Sequence, residues 1–346
     1  MTATEPLTIA IASAAYRAHY VRWFKDALVS QGIRGEVIAL EYRSSAPTLA
    51  AADCGVILPA YNSPEYRGAV LEWARSESPD LFISLNDYEL QILAGGLADD
   101  LRELGCTVAS LGPAAQKIVL DKRLMAATLR DCAIPTPTTW LGSEAEQAIS
   151  VNPSGDFVVK HRFGSGSAGL GFASAKTLRA AVSEAAQSAK SPDGRTSSAG
   201  LDAVIIQEQL PGSEYGVDGV FSLHGTGELR GVLARRKDHM RNGDTDVATT
   251  VPAERFAAAL AALGRVLTPV GPIDVDFKES AEGEPLIIDV NPRFGGGYPF
   301  CHLAGADVPA DLLRTLVGWD DDPSLLRCEP GLTSARGDDF MVLGRA

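Results

Sequence analysis

Two apolar β-type runs in the last third of the chain, residues 273–277 and 286–291, lie a few residues apart, and each carries a carboxylate able to point inward. The second run holds Asp289 and then Asn291, which the period-two alternation of a strand puts on one face. Carboxylates and an amide oxygen together make a hard oxygen site suited to Mg²⁺, with triphosphate oxygens completing the shell. Arg293 follows within reach of the same phosphates as a planar donor fork. The competing reading is a hairpin with solvated acids, but acids on exposed strands seldom sit between such apolar flanks.

A chain of 346 residues can build about two or three domains with ample core. Its formal net charge of −13 disfavours nucleic acid and anionic membranes, which require basic patches. ATP is not excluded, because a local basic pocket can sit inside an acidic protein. Five scattered cysteines never spaced as CxxC, and five histidines without HxxxH or HExxH, point to a reduced cytoplasmic protein with neither structural zinc nor a disulfide frame. The N-terminus shows no charged-then-apolar signal pattern, and no apolar run approaches membrane-spanning length.

Three units are expected along the chain, 1–112, 113–202 and 203–346. Residues 7–12 read as a strand, followed by a helix with Tyr16, Tyr20, Phe24, Ala27 and Leu28 on one face and Gly32 at its end. Strand-like runs at 36–40, 54–59 and 81–85, with a helix at 66–76, continue the alternation and predict a small doubly wound parallel sheet. No GxGxxG follows the first strand, so a dinucleotide is not indicated. In the second unit, 114–132 reads as one helix, 157–160 as a strand and 177–189 as a helix, with a polar surface loop over 188–200. The third unit has strands at 203–208, 215–222 and 231–236, a helix at 254–267, the acidic strand pair, and an apolar stretch at 309–318.

Four segments carry chemistry. An apolar strand ends in Lys160 and runs into small residues alternating with glycine, among them Ser165, Gly166 and Ser167; backbone N–H groups and hydroxyls there can turn toward an anion. No GK[ST] ends the loop, so it is not a Walker P-loop, and taken alone it is equally a bare flexible turn. The run 204–215 enters a Pro211-Gly212 break flanked by Glu208 and Glu214. Such a strand end can offer backbone groups to an adenine edge and a carboxylate to ribose hydroxyls, although a plain turn with exposed acids fits that segment better by itself. Arg235, Arg236, Lys237 and Arg241 form a basic loop that suits a carboxylate substrate or a developing acyl phosphate, or else is a solvated turn. Asp121-Lys122 opens a helix, where a lysine is ordinarily just a surface residue.

The order of these weak signals is more specific than any one of them. A helix-opening Lys, a strand Lys with a Gly/Ser loop, E-x-L-P-G-x-E, a basic loop and D…D-x-N-P-R follow one another from about residue 110 to 305, and that succession resembles the ATP-grasp superfamily. Residues 289–299, then Ala304-Gly305-Ala306, together with Arg235-Arg236-Lys237 and Arg241-Asn242-Gly243, are similar to the branch related to the carbamoyl-phosphate synthase large subunit and the carboxylate–amine ligases. The resemblance implies an α/β and α+β protein: a Rossmann-like N-terminal domain followed by an ATP-grasp fold, two α+β subdomains gripping ATP.

It also implies roles. Lys122 and Lys160 match the phosphate lysines, and Ser165, Gly166 and Ser167 the loop closing over the triphosphate. Glu208, Gln209 and Leu210 match the adenine-reading hinge, and Glu214 the ribose carboxylate. Asp276, Asp289 and Asn291 match the ligands of one or two Mg²⁺ ions, for which Mn²⁺ can substitute. Arg293 matches the arginine stabilising the transferring phosphoryl group, while Arg235, Lys237 and Arg241 would face the acceptor carboxylate. Asp289 stands where the family usually has Glu, and its shorter arm argues against bidentate bridging of two metals, not against metal binding. Asp87 and Glu89, at the end of a strand in the first domain, are candidates for holding a substrate amine.

The implied activity is an ATP-dependent ligase that joins a small-molecule carboxylate to an amine through an acyl phosphate, giving ADP and phosphate, with no nucleophilic Ser or Cys. The alternatives are a carboxylase- or carbamoyl-type reaction through carboxyphosphate, and a nucleotide-binding regulatory protein without turnover. A homodimer is common in the superfamily.

Overall fold

The computed structural model describes residues 5–164, 169–189, 191, 200–241, 243–337 and 341–343. Their strands form three sheets. The first is parallel, with β1 (Leu7–Ala12), β2 (Gly35–Glu41), β3 (Cys54–Ile57), β4 (Leu81–Ser84) and β5 (Thr107–Ala109) in the order β3-β2-β1-β4-β5. Strand alternation sends Ile9, Ile11, Leu81 and Ile83 to one layer, against Tyr20, Val21, Phe24 and Leu28 of the helix Ala18–Gln31. Ala10, Ala12 and Phe82 go to the other, against Val70 and Trp73 of the helix Tyr66–Glu77. Both faces are covered, which is why the strands are continuously apolar. This is the expected doubly wound domain, and its strand order reverses between β1 and β4, the place where such sheets leave a crevice.

The second sheet joins β6 (Thr139–Leu141), β7 (Asp156–His161), β8 (Gly171–Ser174) and β9 (Val204–Glu208) in the order β6-β9-β7-β8. The sequence reading grouped residues 203–208 with the C-terminal unit; β9 instead pairs with β6 and β7, so the small sheet extends past residue 202. The stretch 114–132 is two helices, Pro113–Leu120 and Lys122–Asp131, because Asp121 is extended (φ −102°, ψ 99°) and its carboxylate accepts the N–H groups of Arg123 and Leu124. A capping side chain thus starts a new helix where periodicity alone predicts continuation.

The third sheet is antiparallel: β10 (Glu214–Phe221), β11 (Leu229–Arg241), β12 (Asp244–Val251), β13 (Gly271–Glu279), β14 (Pro285–Asn291) and β15 (Thr333–Ala335), in the order β14-β13-β10-β11-β12-β15. One face contributes Val217, Ala234, Ile273, Val275, Phe277 and Ile287 to a core under Phe256, Leu260 and Leu263 of the helix Glu254–Leu267 and under Val119 and Met125. The basic segment read as a loop is the far half of β11, paired with β12 through Arg241 and Asp244; its polar residues conceal a strand because one face of it is not core. The apolar stretch near 309–318 is the helix Val308–Leu316, packed on the first domain with Phe294 and Tyr298. Among the described residues no helix is long and apolar enough to cross a membrane.

Candidate active site

The face of the third sheet turned away from its core carries charge. Antiparallel register places Asp276 opposite Asp289 and Asp274 opposite Asn291, so four oxygen-bearing side chains of β13 and β14 share one face. Across β10 the same register brings Asp218 to Asp274 and Gly216 to Asp276, and Gly216 in turn to Arg235. A cavity of about 290 Å³ opens between this face and the small sheet. Among the described residues no cluster of three or more His, Cys, Asp or Glu side chains forms a metal cage. Two carboxylates and an amide are a partial shell of the kind Mg²⁺ completes with phosphate oxygens.

Cations reach the same cavity from three elements. Lys122, first residue of its helix, donates to Asp289 Oδ1 at 2.9 Å and to the Gly164 carbonyl at 3.1 Å. Lys160 on β7 donates to the Ile288 carbonyl at 3.0 Å. Ile288 is the extra residue of a bulge between the pairs Asp276–Asp289 and Phe277–Ile287, which re-aims its backbone. Burial pushes the Lys160 ammonium down to about 8. Lys237 on β11 lies between Asp276 (2.7 Å) and Glu214 (2.9 Å). Burial opposes the charge of Lys237, but Asp276 and Glu214 hold its pKa above the ordinary value. Burial likewise raises Asp276. At Asp289 burial is outweighed by Lys122 and then Lys160, which leave its carboxyl below the usual range.

Arg235 does not project into open space. It is 1% exposed, its Nη1 pairs with Asp218 and its Nη2 with Asp274 at 2.7 Å. A Cβ at Gly216 or Gly297 would collide with its guanidinium, and one at Gly295 would collide with Asp274. Those glycines let the backbone close over a buried ionic triad. The expectation that Arg235 faces the acceptor carboxylate is therefore corrected: its charge is committed to two internal acids, and it borders the cavity from beneath. Arg241, 48% exposed at the hairpin end, forms an ion pair with Asp246 at 2.9 Å and is not among the residues around the cavity.

Arg293 leaves β14 and makes a two-pronged pair with Asp87, Nε to Oδ1 at 2.5 Å and Nη2 to Oδ2 at 3.0 Å. This ties the first domain to the site, and it occupies both Asp87 oxygens that were expected to meet an amine. Glu89 is corrected outright. It is fully buried, accepts from the hydroxyls of Tyr66 and Ser84 (the latter at 2.5 Å), and burial pushes it up to about 8, so it serves the interior of the first domain.

Residues 9–109 match the family described as PylC-like, N-terminal domain, and residues 201–333 match that described as ATP-grasp in the biosynthetic pathway with Ter operon. The chain's C-terminal part, by that match, is of the ATP-grasp kind. Biotin carboxylase from Campylobacter jejuni, solved with a β,γ-ATP ligand, aligns at 15% identity and TM-score 0.72 over 94% of this chain and 74% of that one. An L-amino acid ligase from Bacillus licheniformis aligns at 15% identity and TM-score 0.65 over 94% and 78%. The N5-carboxyaminoimidazole synthetase of Staphylococcus aureus, solved with ADP, aligns at 13% identity and TM-score 0.65 over 93% and 80%. At these identities the likeness speaks for the fold. No curated protein matches the chain.

The remaining expected residues fall as follows. Glu208, Gln209 and Leu210 line the cavity at the end of β9; Glu208 accepts from the Thr138 N–H at 2.9 Å, and the Gln209 N–H donates to Asp156 at 3.0 Å. Ser165, Gly166 and Ser167 lie outside the described residues. Missed by sequence reading were Asp218 and Asp274, the acids of the triad, and Asp121, whose two oxygens take Arg162 at 2.8 and 2.6 Å and so brace the helix carrying Lys122. The signal for Asp274 was present: it alternates with Asp276 and therefore had to share its face.

Proposed function

We propose that this ATP-grasp protein is an ATP-dependent carboxylate–amine ligase, forming an amide or peptide-like bond through an acyl phosphate and releasing ADP and phosphate. The observation carrying the reading is the cross-strand placement of Asp276 against Asp289, on one face with Asn291, opposite Lys122 and Lys160. That donor set fits a magnesium nucleotide. The three oxygen-bearing side chains would hold the metal, for which Mn²⁺ can stand in, and the lysines the triphosphate. Glu208, Gln209 and Leu210 would read adenine, with Glu214 on the ribose. When bound, Mg-ATP supplies the phosphoryl group and an ion that offsets its charge. The chain's own part is positioning and charge stabilisation. Lys122 and Lys237 already rest against acids at the site, so their charge needs little movement to reach phosphate oxygens. Arg293, held by Asp87 at the edge of the cavity, would meet the transferring phosphoryl group. The five cysteines, all free thiols, support a cytoplasmic setting.

The second reading is a carboxylase working through carboxyphosphate, favoured by the biotin carboxylase and N5-carboxyaminoimidazole synthetase folds among the similar structures. The two separate in one assay. With Mg-ATP, hydroxylamine and a broad panel of carboxylic acids, the ligase reading expects hydroxamate and acid-dependent ADP. ADP formation that depends on bicarbonate and ignores every acid would replace it with the carboxylase reading.

A further inference from the structure

A second cavity, about 760 Å³, adjoins the nucleotide cavity and shares Arg293, Asp244, Thr245 and Gly296 with it. It lies where the strand order of the first sheet reverses, bordered by residues following β1 and β4. The connection after β1 is bent in an unusual way. Ser13 (φ 51°) and Ala15 (φ 55°) are both left-handed, a conformation unfavourable for residues with a Cβ. Surrounding bonds impose it: the Ala15 N–H donates to buried Glu41 at 2.7 Å, and the Ser13 N–H to the Leu40 carbonyl at 3.0 Å. The product of that strain is the placement of Arg17 in the crevice.

Arg17 is the unusual group there. Its Nη2 donates to the Leu85 carbonyl at 2.7 Å, bridging the two sides of the reversal point, while its buried Nε has no partner. Arg293 has Asp87 and Arg336 has Asp244 as carboxylate partners; among the described residues no carboxylate pairs with Arg17. Burial, and then the neighbouring charge of Arg293, hold the Arg17 guanidinium below its ordinary value, and the nearby Asp87 charge offsets this only in part. Half-buried His19 is pushed down to about 4, by burial and then by the charge of Arg17, so its ring adds no second charge. One stretch of the wall is apolar: Trp23, whose ring lies 4.0 Å from that of His302, then Phe300, and Leu303, which is 61% exposed at the rim; elsewhere Arg22, Asp87, Asp244 and Arg336 line it with charge.

We propose that this cavity binds the acid substrate, and that the acid is amphipathic: its carboxylate meets Arg17 beside Arg293, and an apolar body lies on Trp23, Phe300 and Leu303. The inference rests on the ligase reading for the fate of the acid, though not for its binding. Calorimetric titration of the full chain with 3-phenylpropionate and with acetate tests it. The aryl acid should bind about tenfold or more tighter than acetate. Arg17→Met should weaken it about 10- to 100-fold while leaving the affinity for a magnesium-bound non-hydrolysable ATP analogue unchanged, and Arg17→Lys should restore part of the loss. Equal binding of the two acids, or indifference to Arg17→Met, overturns the proposal. Should Arg17→Met fail to fold, Leu303→Asp, on an exposed side chain, must weaken the aryl acid instead. Acids that bind as stated but yield no hydroxamate would sink the ligase reading alone. Hydroxamate formed with a KM indifferent to Arg17 would sink this inference alone.

Discussion

The two sheets that face each other across the main cavity are built from similar strands yet supply opposite chemistry. The four-stranded sheet offers an apolar surface (Val158, Phe172) and one ammonium, Lys160, whose hydrogen bond goes to a carbonyl. The six-stranded sheet offers Glu214, Asp274, Asp276 and Asp289, with Arg235 and Lys237 threaded among them. On the large sheet each buried cation has carboxylate partners; on the small one Lys160 is left nearly to desolvation. The lesson is a division of labour. The large sheet keeps a dense charge lattice because its members neutralise one another, whereas the small sheet holds a cation poised to take an anion that arrives.

That contrast can be broken most severely at Asp289. Asp289→Asn should cut ATP turnover about 100- to 1000-fold and flatten its magnesium dependence, since it would remove a proposed metal ligand and the partner of Lys122. Turnover within threefold or so of wild type would mean the large sheet is not where the metal works. Comparable in size, but on stability and not on turnover, is Arg235→Met. Leaving Asp218 and Asp274 as uncompensated buried acids should destabilise the protein by about 3–5 kcal/mol, read as a fall in thermal midpoint. A midpoint unchanged from wild type would show that the lattice is not mutually neutralising.

The smallest effect sharpens the other side. Lys160→Met should weaken nucleotide binding about 10- to 100-fold. The wild-type affinity should fall as pH rises through about 8, where Lys160 loses its proton, and the variant should lose that inflection. The sign for stability is opposite. The folded state releases this proton near 8 and the unfolded chain near 10.5, so Lys160 adds stability as pH climbs between those values. An affinity profile with the same inflection in both proteins would assign it to another group.

Much of this was legible before any coordinates. Strand alternation and helix spacing gave away the first domain, because both faces of a parallel sheet must be apolar. The pair at 273–277 and 286–291 announced a shared acidic face, because acids between apolar neighbours need partners. The strand β12 and the outer half of β11 were not legible, since a strand with a charged cavity on one side has no simple apolar rhythm. The role of Arg235 was not legible either. A run of Arg-Arg-Lys reads as a basic patch, and only register shows that alternate members turn to opposite faces, with Arg235 sealed between Gly216 and Gly297.

By itself the sequence determined the strands and helices with a clear apolar rhythm, above all those of the first domain, and which acids could share a strand face, because those follow from the periodicities of 2 and 3.6 in the chain itself. The tertiary structure alone decided which charges are spent on each other and which remain available. Asp87 takes Arg293 across 206 positions of sequence, Lys122 takes Asp289 across 167, and Arg17 is left with a carbonyl. Such pairings depend on distances between separate domains, and no local rule of the backbone encodes them.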